Sequence, residues 1–182
     1  MEIIQYEPHM KEDIRGICLA TGSEKGRTDP VHGAFAKLFY CDPYIDNETA
    51  LILVDEGKPV GYILCAEDYD AYEKHMAPYI EEIEKLGRDY PERVRLQLEC
   101  YKSFKDRYPA HMHIDILEDY TGGGNGSKLL QKLIDKLKED HVKGLMLGVS
   151  KDNKRACAFY RKNGFEVIEE DESGALLGMD LQ

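Results

Sequence analysis

The spacing of apolar residues along the chain predicts an alternation of strands and helices. Residues 1–7 (MEIIQYE) read as a first strand, and residues 9–20 put Met10, Ile14, Ile17 and Cys18 at helical spacing. Residues 21–30, rich in Gly, Ser and Asp, read as a loop, and residues 31–39 as a short helix. The link 42–48, with Pro43 and Asn47, leads into strands at 50–55 and 60–66, joined through Glu56-Gly57-Lys58-Pro59 as a hairpin. From 67 to 110 the chain turns charged, Tyr-rich and helical, interrupted at Pro78, Gly87 and Pro91, with Val94, Leu98, Tyr101 and Phe104 on one helical face. Then follow a strand at 111–117, a helix at 124–139, a strand at 145–149, a helix at 153–163 and strands near 165–168 and 175–181. The order is mixed α/β, and its β-α-β unit requires at least one parallel strand pair.

Composition narrows the class. The 182 residues suit a single domain, and 42% hydrophobic with 32% charged residues is a globular balance. No apolar run is long enough to cross a bilayer, and the first residues lack a basic segment followed by an apolar one, so a cytoplasmic protein without membrane attachment is expected. Cys18, Cys41, Cys65, Cys100 and Cys157 are odd in number and form no C-x-x-C pair, so buried free thiols are expected and neither disulfides nor a metal site. A net charge of −11 disfavours nucleic acid and tolerates a cationic partner.

The chemistry concentrates at Asp119-Tyr120-Thr121-Gly122-Gly123-Gly124-Asn125-Gly126-Ser127-Lys128, between an apolar strand and a helix with Leu129, Leu130, Leu133, Ile134 and Leu137 at core spacing. A strand, a glycine turn and a helix N-terminus make an anion site: glycines let the backbone approach, and the first helical amides donate. A Walker A loop counted from Gly122 meets Ser127 where its second glycine belongs. A dinucleotide fingerprint opening at Gly122 also meets Ser127, and one opening at Gly124 meets Leu129. A glycine-capped helix with no ligand is the alternative.

The run Thr121-Gly122-Gly123-Gly124-Asn125-Gly126 resembles motif A, [QR]-x-x-G-x-[GA], of the GNAT N-acetyltransferases, with Thr121 in place of Gln or Arg and Asn125 in place of an aliphatic residue. A second stretch, Asn153-Lys154-Arg155-Ala156-Cys157-Ala158-Phe159-Tyr160-Arg161-Lys162-Asn163-Gly164-Phe165, resembles that family's N-x-x-A-x-x-[FL]-Y-x-x-x-G-F. The resemblance implies the acyl-CoA N-acyltransferase fold: a central mixed, mostly antiparallel sheet flanked by helices, here with a helical insertion at 67–110 between strands 3 and 4. It implies acetyl-CoA as cosubstrate, its pyrophosphate on Thr121, Gly122, Gly123, Gly124, Asn125, Gly126 and Ser127. Its pantetheine arm would lie along Ile116, Leu117 and Glu118, the last standing where the family often has proline, and by Asn153 and Ala156. Tyr160 would protonate the departing thiolate, and a strand amide near Leu117 would stabilise the oxyanion.

An attacking amine must lose a proton. His111, His113 and Asp115 alternate along one strand and share a face, and histidine titrates in the useful range. The His-x-His resembles the pair in arylalkylamine N-acetyltransferases, and 111–117 also resembles bacterial acetyltransferases related to the O-GlcNAcase C-terminal domain. Histidines that only satisfy hydrogen bonds are the competing reading, and Glu67 and Asp68 are alternative bases. Cys157, with no histidine near it in sequence, suits packing better than nucleophilic attack.

The expected reaction is transfer of acetyl from acetyl-CoA to a primary amine, a small molecule, by direct attack in a ternary complex. A catalytically inactive CoA-binding or interaction module of the same fold is the alternative. The insertion is expected to cap the acceptor side with Tyr69, Tyr72, Tyr79, Tyr90, Tyr101 and Tyr108, which could equally pack helices or form a homodimer face.

Overall fold

The computed structural model describes residues 1–45, 49–172 and 174–182, with the end of the predicted link, residues 46–48, outside the described residues. Strand β1 (Glu2–Gln5) is followed by helices α1 (Lys11–Thr21), α2 (Glu24–Thr28), α3 (Pro30–Tyr40) and α4 (Asp42–Ile45), then strands β2 (Thr49–Asp55) and β3 (Lys58–Ala66). The insertion supplies α5 (Tyr69–His75), α6 (Ala77–Leu86) and α7 (Tyr90–Phe104). Strand β4 (Ala110–Ile116), helix α8 (Asn125–Glu139), strand β5 (Gly144–Ser150), helix α9 (Lys154–Lys162) and strands β6 (Glu166–Glu170) and β7 (Gly174–Asp180) complete the chain.

One stretch expected as loop, 21–30, contains a helix. Ser23 accepts from the Gly26 amide at the start of α2, and Asp29 accepts from the amides of Val31 and His32 at the start of α3, ahead of Pro30. Ser, Asp and Pro, which mark turns by composition, act here as helix starts. The β2–β3 connection tightens to Glu56 and Gly57, both at positive φ (47° and 80°), a geometry that follows the twist of the two strands.

The strands form one sheet in the order β1-β2-β3-β4-β5-β7-β6, antiparallel everywhere except β4–β5. On one face α8 buries Leu129, Leu130, Leu133, Ile134 and Leu137 against Met112 of β4 and Leu145 and Leu147 of β5, joined by Tyr160 of α9. On the other face α1, α3, α4 and the insertion enclose Ile14, Phe35, Tyr44, Tyr72, Leu98 and Tyr101 over β2, β3 and Met146.

The feature that positions the site is a gap in the sheet. β4 and β5 pair only at Ala110↔Leu145 and His111↔Met146. Beyond that point β4 stays paired to β3 through Gly61↔Ile116, and β5 to β7 through Ser150↔Gly174. Each strand is thus anchored on its outer side while the two diverge, so that the backbone groups facing each other across the gap have no strand partner.

Candidate active site

The glycine turn closes the wide end of the gap. Gly122 and Gly124 have φ of +86° and +79°, which favours glycine, and a side chain at either would meet no protein atom. Gly124 caps α8 without a side-chain hydrogen bond, so the amides of Asn125, Gly126 and Ser127 open the helix unpaired, where its dipole favours an anion. The neighbouring side chains shape the turn: Asn125 is buried and its Nδ2 donates to the Tyr120 carbonyl (2.9 Å), and Thr121 Oγ1 donates to the Glu118 carbonyl (2.7 Å). At Gly126 a Cβ would come within 3.1 Å of the Phe159 ring, so glycine there lets α9 lie close to α8.

Along β4, the Leu117 amide donates to the Val60 carbonyl of β3 (2.9 Å). By the two-residue period, Leu117 and Asp115 point their backbone groups at β3, and Ile116 and Ile114 point theirs into the gap. Of the strand amides near Leu117, that of Ile116 therefore faces the gap and that of Leu117 itself does not. The Glu118 carbonyl is occupied by Thr121, so Ile116 is the member of the predicted 116–118 trio with backbone facing the gap. On α9, Asn153 Oδ1 caps the helix by accepting from the Ala156 amide (3.0 Å). Tyr160 is buried between Phe159 and Phe165, ring centroids 5.2 and 5.6 Å away. Burial, then the nearby Asp115 and Tyr101, push its phenol above the ordinary range, so it keeps its proton at neutral pH.

The polar face of β4 divides into unlike positions. His111 is 0% exposed, with the rings of Tyr72, Tyr101, Tyr44 and Tyr69 at 4.4, 4.8, 5.5 and 6.2 Å. Neither of its nitrogens has a hydrogen-bond partner, and burial, then His113, hold the imidazole down at about 3. These tyrosines close off His111, so the two histidines expected as bases occupy unlike surroundings. His113 lies against Tyr44 (4.7 Å) and Tyr40 (5.3 Å), is held down at about 4 by burial, and borders a cavity of about 130 Å³. Asp115 borders the same cavity; its Oδ2 accepts from the Tyr62 hydroxyl (2.5 Å), and burial raises its carboxyl to about 6.

The alternative bases are engaged elsewhere. Glu67 accepts from Thr49 Oγ1 and pairs with Lys136 (3.4 Å), while Asp68 caps α5 at the Ala71 amide (2.8 Å). Cys157, half-buried, directs its Sγ at the Ser150 carbonyl (3.6 Å).

The insertion reaches this cavity only behind its walls, Tyr90 through a hydrogen bond with His32 (3.1 Å). Tyr69, Tyr72, Tyr90, Tyr101 and Tyr108 are buried in helix packing, and the cavity walls come from Cys18 and Leu19 of α1, Gly26 of α2, and Ala36 and Tyr40 of α3. Sequence reasoning missed these because the segment carrying them read as a helix, a loop and a helix with no chemical motif. Of the insertion's tyrosines named from the sequence, Tyr101 comes to the gap: its hydroxyl accepts from the Gly148 amide of β5 (3.3 Å) while its ring packs on His111. Among the described residues no group of three or more His, Cys, Asp or Glu could hold a metal ion, and no helix is long and apolar enough to cross a membrane.

Comparison with known proteins points one way. A sequence model described as the acetyltransferase (GNAT) family matches residues 23–165. Streptothricin acetyltransferase A of Bacillus subtilis (strain 168) is 44% identical over 54 residues, 30% of this chain, and the match spans about a third (31%) of that curated relative. The crystal structure of SsHAT superposes with a TM-score of 0.83 at 26% identity, covering 100% of this chain and 98% of that one. The PaiA N-acetyltransferase of Thermoplasma acidophilum, solved with coenzyme A, shares the fold at a TM-score of 0.66 and 14% identity, with 98% of each chain covered.

Proposed function

The chain belongs to the acetyltransferase (GNAT) family, and on that footing we propose that it moves the acetyl group of acetyl-CoA to the nitrogen of a small primary amine by direct attack in a ternary complex. The observation that carries the reading is the β4–β5 gap, with a glycine turn and unpaired α8 amides at its wide end and Tyr160 on its flank.

The residues fit the cosubstrate. Amides of Asn125, Gly126 and Ser127 donate to pyrophosphate oxygens, and the glycines beside them leave room for the phosphates. Gap-facing backbone of Ile114 and Ile116 pairs with the pantetheine arm, and Ala156 keeps that side of α9 small. The Ile116 amide donates to the oxyanion that forms when the amine attacks the thioester carbon. His113 takes the amine proton, directly or through water, because it borders the cavity where His111 does not. Tyr160, protonated at neutral pH, supplies the proton that leaves with the thiol. Thr121 and Asn125, which depart from the family motif, act on the turn through Glu118 and Tyr120, so the departures leave the backbone donors in place.

Calorimetry with acetyl-CoA, followed by a thiol-release assay over a panel of primary amines, tests the reading. Micromolar binding with turnover is expected. Absence of acetyl-CoA binding overturns the proposal, and binding without turnover on any amine replaces it with a non-catalytic coenzyme A-binding module.

A further inference from the structure

Resting on the acetyl-transfer reading, we infer that Asp115 is the residue that selects the acceptor: its carboxylate receives the ammonium of a primary amine whose slender, unbranched stem lies in the cavity between α1–α3 and β4.

Asp115 is partly exposed, and it borders the cavity together with His113. Tyr62 fixes the carboxylate by donating to Oδ2, and Tyr62 is itself fully buried, with burial and Asp115 keeping its phenol protonated. Among the described residues no lysine or arginine forms an ion pair with Asp115. The buried carboxylate of Asp42, by contrast, holds Arg15. The cations that act on this cavity, Lys25, Arg93 and Arg88, do so at His32, and Arg93 also at Tyr40. An enclosed carboxylate without a cation is unfavourable, and an incoming ammonium relieves that by a charge-assisted hydrogen bond. With its carboxyl at about 6, Asp115 is mostly ionised at pH 7.5 and so ready for a cation.

The walls decide the rest of the acceptor. Cys18, Leu19 and Ala36 are apolar, and Gly22 and Gly26 add no side chain. At about 130 Å³ the space is close to the ~150 Å³ cavity that admits one benzene ring, so it takes a stem of a few carbons, and an unbranched one crowds the walls least. Asp115 orients the nitrogen; the proton still leaves by way of His113, two residues along the same strand face.

The test compares wild type with Asp115→Asn, which keeps the shape and still accepts from Tyr62, using n-butylamine and the slender, largely uncharged aminoacetonitrile as acceptors in the thiol-release assay. Asp115→Asn is expected to raise KM for n-butylamine about tenfold or more, the loss of one charge-assisted hydrogen bond, while KM for aminoacetonitrile moves about threefold or less and acetyl-CoA affinity holds. In the wild type, sec-butylamine should be a poor acceptor. Ala36→Leu, which fills the cavity without touching Asp115, should abolish n-butylamine transfer with acetyl-CoA binding intact. An unmoved n-butylamine KM in Asp115→Asn, or equal losses on both acceptors, overturns this inference alone. Wild-type protein that transfers to neither amine overturns the acetyl-transfer reading and this inference together.

Discussion

His111→Phe should make the protein more acid-resistant, and by an amount the packing sets. In the folded chain the imidazole is enclosed by four tyrosine rings, has no hydrogen-bond partner, and is held at about 3, against 6.5 for an exposed histidine. The folded pKa is depressed, so as pH falls the unfolded chain takes up the proton first. Stability is intact above 6.5 and is lost progressively toward 3. At pH 5 the loss from this one group is about 2 kcal/mol, governed by the unfolded value. His113, held at about 4, loses a similar ~2 kcal/mol at pH 5. Asp115 works the other way: raised from 3.8 to about 6, it is protonated first in the folded state and returns ~1.4 kcal/mol at pH 5.

Between pH 7.5 and 5 these three groups together remove about 3 kcal/mol from the wild type, and His111→Phe should remove about 2 kcal/mol less. Phenylalanine also replaces two unpartnered nitrogens by carbon, so the variant should be about 1 kcal/mol or more stabler even at pH 7.5. Urea unfolding followed by circular dichroism at the two pH values measures both effects; 2 kcal/mol is a midpoint shift of about 1 M for a typical slope. Equal pH sensitivity in variant and wild type would refute the neutral, enclosed His111. If acetyl transfer survives in His111→Phe, the proton route through His113 stands; if it vanishes in a folded variant, that route is wrong.

Tyr160→Phe should lower kcat about 10²–10⁴-fold in the thiol-release assay, the usual share of a general acid, with acetyl-CoA affinity by calorimetry unchanged. Gly124→Ala puts a Cβ at φ +79°, a strain of about 1–2 kcal/mol that turns the α8 amides away from the pyrophosphate, and acetyl-CoA affinity should fall about tenfold. Arg15→Met leaves the buried Asp42 carboxylate without its two-pronged partner (2.8 and 2.7 Å) and should cost about 3–5 kcal/mol by chemical unfolding. Arg95→Ala, which removes exposed pairs to Glu92 and Glu99, should cost less than about 1 kcal/mol in the same assay.

Much of this protein can be read along the chain. The periodicity of Leu129, Leu130, Leu133, Ile134 and Leu137 determined α8 and its buried face, and the glycines before it determined where an anion could sit. The two-residue period of β4 put His111, His113 and Asp115 on one face, and the order of elements implied the parallel β4–β5 pair. These are local properties: dihedral freedom, helix pitch and strand alternation act over a few residues and leave their mark in spacing. Which residue on that face can meet a substrate is another matter. Tyr44, Tyr69, Tyr72 and Tyr101, between 10 and 67 positions away in sequence, enclose His111, while α1–α3, more than 70 positions away, leave a cavity at His113 and Asp115. Accessibility, pairing and titration depend on what packs against a side chain from distant segments, and strand period carries no information about them. For that reason the polar strand was legible in the sequence, and only the tertiary structure separated a histidine sealed among tyrosines from a histidine and a carboxylate facing open space.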